Sequence, residues 1–175
     1  MRCFAKSGFD ATSMADIIAE SGVSAGAIYS YFKNKQELIV HVTRDVLKSR
    51  AAELDELEQQ DPLPPPAAVV RMFLIDLAQD IGDLRIFVQI WAAAAAEPHS
   101  MDSVAGVVVE LRALYERYLR AWFVHKGFSE EEADGRALAI APIIVAMCQG
   151  YILQSVLVPD FDSDGYLAAL DLVHM

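Results

Sequence analysis

Cysteine is scarce in this chain, and no catalytic constellation of residues is visible. The two cysteines, Cys3 and Cys148, lie in apolar stretches, which argues against a disulfide framework and favours a reducing, cytoplasmic compartment. The four histidines are far apart and show no metal-ligand spacing, so neither a metal site nor a cofactor is predicted. The chain also has no glycine loop for phosphates and no nucleophile elbow, and no catalytic residue is assigned. We therefore expect that the protein is not an enzyme.

Strand patterns are absent as well. No stretch of useful length alternates between apolar and polar residues, and no segment repeats. Apolar residues recur at helical spacing along most of the chain, which predicts an all-α fold. Helices are expected near residues 13–21, 24–32, 34–60, 67–80, 83–96, 102–126 and 130–157, and from 164 to the end of the chain. Residues 1–7 are typical of the end of a further helix, stopped by Gly8, whose beginning would precede residue 1.

Positive charge is in short supply, since 14 Lys or Arg face 25 Asp or Glu and leave a net charge of −11. This balance is unfavourable for a nucleic-acid-binding protein, but it is unevenly distributed. Residues 1–50 carry seven Lys or Arg and five Asp or Glu, whereas residues 51–175 carry seven and twenty. An acidic body with a mildly basic end would present only that end to phosphate.

One apolar stretch is long enough to raise the question of a membrane. Residues 137–158 contain no charged side chain over 22 positions, which suffices to span a bilayer. However, Pro142, Gln149 and Gly150 interrupt the stretch, and no basic flank follows it. We therefore predict no membrane association and a helix that is buried in a core or a dimer interface.

Residues 8–38 carry the pattern of a helix-turn-helix. Ser13 and Ser24 are typical N-caps of two short helices. Gly22 permits a turn with positive φ, Val23 is expected to fill the corner between the helices, and Ile28 to anchor the second one. That second helix would present small side chains and tyrosines outward, which suits a helix lying in a DNA major groove.

The stretch GFDATSMADIIAESGVSAGAIYSYFKNKQELI resembles the N-terminal pattern of the TetR family of bacterial transcriptional repressors, over about the first 45 residues. The resemblance implies a helix-turn-helix DNA-binding domain at 1–45 and a helical ligand-binding and dimerisation domain at 46–175. It implies a homodimer that binds double-stranded operator DNA and responds to a small-molecule effector. One departure is Ile18, where many family members have alanine. The resemblance also implies phosphate contacts by Ser13, Ser24, Tyr29, Tyr31 and Lys35, and base contacts by Ala25, Gly26 and Ser30.

In this family the C-terminal helices form the dimer and enclose the ligand pocket, and the sequence permits both. Aromatic and sulfur-containing side chains on converging helices are predicted to line the pocket: Phe87, Trp91, Tyr115, Tyr118, Trp122, Met147 and Tyr151. Polar contacts are expected from Gln89, His99, Asp76 and Glu110, and the two carboxylates would favour a cation if they faced inward. Otherwise a medium-sized, largely apolar effector is expected. A four-helix dimer interface is predicted at Gly150, Gln154, Leu157, Leu167 and Leu170.

Two functions stay open at this point. The first is a ligand-responsive repressor. The second is a small-molecule-binding or protein-interaction module whose DNA binding is secondary or lost, because Ala25 and Gly26 offer no side-chain donors to bases. The sequence does not decide between repression and activation.

Overall fold

A computed structural model describes residues 11–96 and 98–173. The predicted helix at 1–7 lies outside these residues. The elements follow one another as α1 (Met14–Ser21), α2 (Ala25–Tyr31), α3 (Lys35–Leu57), α4 (Pro66–Ile81), α5 (Arg85–Ala96), α6 (Pro98–His125), α7 (Glu130–Leu157) and α8 (Ser163–Ala169), with a short 3₁₀ turn at Leu170–Leu172. No strand occurs in this described part of the chain, and the all-α fold is confirmed.

The predicted N-caps account for where the helices begin. Ser13 Oγ accepts a hydrogen bond from the Asp16 amide, and the Asp16 carboxylate accepts one from the Ser13 amide. Ser129 and Glu132 form the same reciprocal pair at the start of α7. These pairs satisfy amides that have no partner inside a helix. Each cap is set by neighbours in sequence, which is why the pattern alone predicts it.

The cap of α3 is only half of a capping box. Asn34 Oδ1 accepts from the Glu37 amide at 2.8 Å. The Glu37 carboxylate, however, accepts from the Lys33 amide at 2.8 Å. Its bond therefore ties down the residue before the cap.

The C-terminal helix is shorter than predicted. The expected helix from residue 164 to the chain end stops at Ala169 and tightens into the 3₁₀ turn. Arg71 of α4 explains the change, because its Nε donates to the Leu167 carbonyl at 3.0 Å and its guanidinium pairs with Asp171 at 2.6 Å. A tertiary contact thus occupies the carbonyl on which another α-helical turn would depend.

The core is built on α6 and α7, which form the most extensive helix pair in the described structure. Leu119 of α6 and Ile144 of α7 are completely buried between the helices. Helices α4 and α5 pack against this pair. Tyr118 Oη donates to the Pro64 carbonyl at 2.6 Å and so holds the proline-rich connection before α4 against α6.

Helix α3 links the N-terminal helices to this core and runs without a break through the predicted boundary between residues 45 and 46. Ion pairs fasten it on two sides. Arg44 pairs with Glu110 of α6 at 3.0 Å, and Arg50 pairs with Asp76 and Asp80 of α4 at 3.0 and 2.6 Å. The Arg50 side chain is only 12% exposed, so its pairs are less weakened by solvent than surface pairs are. The division into two domains stays a prediction.

Helix α7 is the one helix in the described residues whose length and composition would allow it to cross a membrane. One of its faces is nevertheless buried against the other helices, including Ala137, Ala141 and Ile144. A core helix passes the same length test. The finding therefore adds little support for a membrane span.

Candidate nucleic-acid interface and ligand cavity

The turn between α1 and α2 is formed by Gly22 in the left-handed conformation, with φ of 68°. A side chain there would be strained. Ser21 braces the turn, because its Oγ donates to the Ile18 carbonyl at 3.0 Å and accepts from the Val23 amide at 3.2 Å. The predicted corner residue, Val23, is 47% exposed. That prediction is wrong, since the hydrogen bond from the Val23 amide to Ser21 Oγ holds the turn closed with Val23 at the surface.

Helix α2 turns one narrow side inward. Ile28 is its single buried residue, as predicted. Ala25, Gly26 and Ser30, the predicted base contacts, are all exposed. Ser30 Oγ donates to the Ala27 carbonyl at 2.7 Å, so it offers an acceptor and not a hydrogen to a partner outside the helix. This face is small and uncharged, which allows the helix backbone to approach base edges closely.

The two cap serines differ in what they can offer a phosphate. Ser13 Oγ donates its hydrogen to the Asp16 carboxylate at 2.6 Å, and this bond lowers the pKa of Asp16. The hydroxyl hydrogen is therefore engaged beside a negative charge. Ser24 Oγ instead accepts from the Ala27 amide at 3.3 Å, which uses a lone pair and not the hydrogen. Of the two predicted phosphate contacts, Ser24 has the better geometry.

The predicted tyrosine contacts lie on the surface, whereas the predicted lysine contact is partly built into the fold. Tyr29 and Tyr31 are 52% and 80% exposed. Lys35 Nζ donates to the carbonyl of buried Thr12 at 3.0 Å and ties the start of α3 to the segment that precedes α1. Lys33 is fully at the surface beside it. We therefore add Lys33 to the candidate phosphate contacts.

A cavity of about 70 Å³ lies between α3, α4, α5, α6 and α7. Its wall is mostly valine, leucine, isoleucine and phenylalanine. Phe87 and Trp91 line it, as two of the predicted pocket residues. Thr43 of α3 and Gln149 of α7 supply its side-chain oxygen and amide groups. Sequence reasoning missed both, although Thr43 shares a helical face with the apolar residues Val40 and Leu47.

The other five predicted pocket residues do not line this cavity, and the predicted lining is revised accordingly. Tyr115 and Tyr118 are fully buried in the core, where their hydroxyls meet Cys148 Sγ and the Pro64 carbonyl. Tyr151 packs against the rings of Phe161 and Tyr166. The last two, Trp122 and Met147, also lie outside the wall.

The predicted polar contacts are placed differently as well. Asp76 and Glu110 do not face the cavity, because Arg50 and Arg44 hold them in ion pairs on its outside. Gln89 is absent from the described wall, and the side chain of His99 lies outside the described residues. The expectation that carboxylates favour a cation is therefore withdrawn.

A stripe of exposed apolar side chains runs along α7. Leu138, Ile143 and Leu157 are 60%, 57% and 65% exposed, and Ala146 and Leu153 lie between them at the surface. Their spacing places them on one face of the helix. We define these five residues as the α7 stripe.

The predicted dimer contacts divide between this stripe and the core. Leu157 belongs to the stripe, Gln154 is exposed beside it, and Gly150 is partly exposed. Leu167 and Leu170 are buried inside the protomer, where Arg71 of α4 holds their turn in place. They are removed from the predicted interface, because contact with a second chain would require them to leave the core.

Burial raises the pKa of one thiol and two tyrosine hydroxyls in the core. It raises the pKa of the Cys148 thiol from 9.0 to about 12. It raises the pKa of Tyr118 to about 12, with the charge of Glu58 adding to the effect. The pKa of Tyr115, whose hydroxyl lies 3.7 Å from Cys148 Sγ, is raised for the same main reason. A thiol in this environment is a poor nucleophile at neutral pH.

We expect the stability of the fold to decline at alkaline pH. Above about pH 9 the unfolded chain releases the Cys148 proton, which the folded chain keeps. The contribution of this thiol to the free energy of unfolding is therefore present below about pH 9 and is lost as the pH rises towards 12. In a Cys3→Ser background, Cys148→Ala should reduce the fall of the free energy of unfolding with pH, between pH 9 and 11, by up to about 1.4 kcal/mol per pH unit. Urea unfolding at a series of pH values measures this. An identical slope in both proteins would contradict the buried, protonated thiol.

Among the described residues, no three His, Cys, Asp or Glu side chains are grouped as a metal ion requires. The described side chains therefore offer hydrogen bonding and charge around α2, and apolar contact in the cavity.

The comparisons with known proteins agree with this geometry. Residues 1–42 match the family of bacterial regulatory proteins described as the tetR family. The chain is 36% identical over 80 residues to the HTH-type transcriptional regulator AcrR of Shigella flexneri, covering 45% of this chain and 36% of that protein. It is 25% identical over 159 residues to YxaF of Bacillus subtilis (strain 168), an uncharacterized HTH-type transcriptional regulator, covering 88% and 79%.

A solved structure shares the fold of nearly the whole chain. The putative TetR-family transcriptional regulator from Syntrophomonas wolfei superposes with a TM-score of 0.73 at 18% identity, covering 97% of this chain and 85% of that one. The chain spans only 30–38% of the length of five of the curated relatives that it matches. The curated relatives cited are HTH-type transcriptional regulators, which confirms the expectation that the protein is not an enzyme.

Proposed function

Because the chain belongs to the TetR family of bacterial regulatory proteins, we propose that it is a cytoplasmic, homodimeric repressor that binds operator DNA and is released by a small molecule. The family is one of DNA-binding transcription regulators. The proposal adds to family membership a direction of regulation, an assembly state and a ligand response. The assembly state and the ligand response each have their own support in the fold.

The observation that carries DNA binding is the outer face of α2. It combines three small exposed residues with two exposed tyrosines and a lysine beyond its end, and it contains no carboxylate. Close approach to base edges needs the small residues, and positioning on the backbone needs the phenol and ammonium groups. The rest of the chain is acidic, so this end is the one that phosphate tolerates.

The α7 stripe supports the homodimer. A contiguous apolar face on a protein surface marks an interaction site, and a two-fold axis across one helix face makes the same patch serve both chains. Two α2 helices in successive major grooves require a spacing of about 34–36 Å. A rigid dimer would hold that spacing.

The cavity supports the ligand response, because its wall includes α3. Val40, Thr43 and Leu47 line it, and α3 begins four residues after the end of α2. A ligand that prefers one position of α3 shifts the population of DNA-competent dimers. The coupling is reciprocal, so operator DNA must weaken ligand binding by the same factor.

Selection of bound DNA from a random-sequence pool by the purified protein tests the proposal. A pseudo-palindromic consensus with two half-sites, bound with a strong salt dependence, is the expected result. Binding of small molecules without any enriched sequence would overturn it and favour the ligand-binding or protein-interaction module.

Removing the tyrosine hydroxyls should weaken binding to all sequences alike. The double variant Tyr29→Phe/Tyr31→Phe loses two phosphate hydrogen bonds and should bind both operator and random DNA about tenfold or more weakly, with an unchanged salt slope. Lys33→Gln should instead lower the salt slope by about one. Fluorescence anisotropy over a range of salt concentrations measures both effects.

The matched control is Lys126→Gln, which removes an exposed lysine at the far end of α6, where its ammonium lies over the Trp122 ring. It changes the net charge equally and should leave DNA binding unaltered. An equal loss of DNA affinity in Lys126→Gln and Lys33→Gln would show that the effect of Lys33→Gln comes from overall charge alone.

A further inference from the structure

We infer that the cavity takes an uncharged, mainly aliphatic ligand with one hydrogen-bond donor, which it presents to Thr43 of α3. The inference deepens the proposed function by naming the ligand class of the regulatory site, and it rests on that proposal. It stands on the composition of the wall, on the bonds that its polar groups already make and on the position of Thr43.

The wall excludes charge. Among the described residues that line the cavity, none is Lys, Arg, His, Asp or Glu. The nearby carboxylates of Asp76 and Glu110 are turned away and held by Arg50 and Arg44. An ion entering this space would lose its hydration without gaining a partner of opposite charge, which costs far more than apolar contact returns. The ligand must therefore be neutral.

The polar groups of the cavity wall favour a ligand that donates a hydrogen bond. Thr43 Oγ1 already donates its hydrogen to the Ile39 carbonyl at 2.9 Å. Its oxygen therefore acts towards the cavity as an acceptor. Gln149 contributes a carboxamide, which donates and accepts. A ligand hydroxyl or amide N–H matches this pair, and a purely hydrocarbon ligand leaves it unmatched.

The volume limits the ligand to a small molecule. The cavity volume of about 70 Å³ exceeds what a single water molecule needs. The valines of α6, Val104, Val107 and Val108, form one side of this space. Their short side chains keep it open.

Thr43 places the ligand on the helix that follows the DNA-contacting segment. It lies eight residues into α3, and Val40 and Leu47 flank it on the same helical face. A ligand bonded to Thr43 therefore touches α3 directly, without an intervening element. This makes Thr43 the residue that determines specificity at the site.

The test uses three probes that share a six-carbon chain, namely 1-hexanol, hexylammonium and hexanoate. Binding is followed by the fluorescence of Trp91, which lines the cavity, in a Trp122→Phe variant. Saturable binding of 1-hexanol is expected, with both ions at least about tenfold weaker. Equal or tighter binding of either ion overturns the inference.

Two variants locate the site. Thr43→Val keeps the shape but removes the acceptor, and it should weaken 1-hexanol about threefold to tenfold. Val108→Phe should fill the cavity and abolish binding. Its matched control is Val109→Phe, because Val109 is the next residue and is 55% exposed. Unchanged 1-hexanol binding in Val108→Phe would show that the probe binds elsewhere and would sink the assignment.

The same proteins separate this inference from the proposed function. DNA retention is measured on each of them without probe. Selective 1-hexanol binding by a protein that retains no DNA preserves the ligand class and defeats the repressor. Retention of an operator by a protein that prefers an ionic probe preserves the repressor and defeats the ligand class.

Discussion

Replacing Gly26 by glutamate is expected to abolish operator binding without unfolding the protein. Gly26 is exposed as the second residue of α2, and apart from its chain neighbours and its own helix backbone no atom lies within 4 Å of the position that a Cβ would take. Glycine is a poor helix former, by about 1 kcal/mol relative to alanine. A carboxylate in the first turn also interacts favourably with the helix dipole. Gly26→Glu should therefore be at least as stable as the parent protein.

The loss of DNA binding has an electrostatic cause. A carboxylate on the face proposed to meet base edges and phosphates sets like charges against each other, at a cost of several kcal/mol. We expect the affinity for a selected operator to fall more than about hundredfold. Fluorescence anisotropy measures the affinity, and thermal unfolding verifies the fold.

Gly26→Gln is the matched control, because it adds nearly the same volume without the charge. It should lose less affinity than Gly26→Glu, and the difference should shrink as salt screens the repulsion. Operator affinity within threefold of the parent protein in Gly26→Glu would remove α2 from the DNA interface.

Placing two glutamates in the α7 stripe is expected to convert the proposed dimer into monomers. Leu138→Glu/Ile143→Glu removes two exposed apolar side chains from each partner and puts four carboxylates into the contact. Burial of one such side chain contributes about 1.5–3 kcal/mol, and two-fold symmetry doubles the loss. The dissociation constant should rise more than about thousandfold.

Sedimentation velocity over a range of protein concentrations measures this change, and circular dichroism verifies the fold. Operator affinity should fall with it, because two half-sites are no longer bound by one particle. Val124→Glu is the control, since Val124 is an exposed apolar residue near the end of α6, away from the stripe. A stripe variant that remains a dimer would place the interface on another surface.

The candidate DNA interface could be predicted from sequence to a large extent because its determinants are local. The N-caps at Ser13, Ser24 and Ser129 each join residues three positions apart. The turn at Gly22 depends on the freedom of a single residue. Even so, Val23 was misplaced, since its hydrogen bond to Ser21 decides where it lies. The bond from Lys35 to Thr12 was not foreseen, and the phosphate contact of Lys35 stays a prediction.

The cavity and the dimer surface could not be predicted in the same way. The aromatic residues expected in the pocket are drawn into the core, where Tyr115 and Tyr118 find hydrogen-bond partners 33 and 54 positions away. Leu167 and Leu170 look like interface residues in sequence, yet Arg71 of α4 folds their turn back onto the protomer.

By itself, the sequence determined the helical fold, most of its helix limits and the surface that α2 presents. These depend on spacing, caps and turns between near neighbours, and the residues involved interact whatever the rest of the chain does. Only the tertiary structure decided where empty space remains, which carboxylates are turned away from it and which apolar face of α7 stays uncovered. These features depend on how side chains from five helices share one volume, and no single segment carries that information.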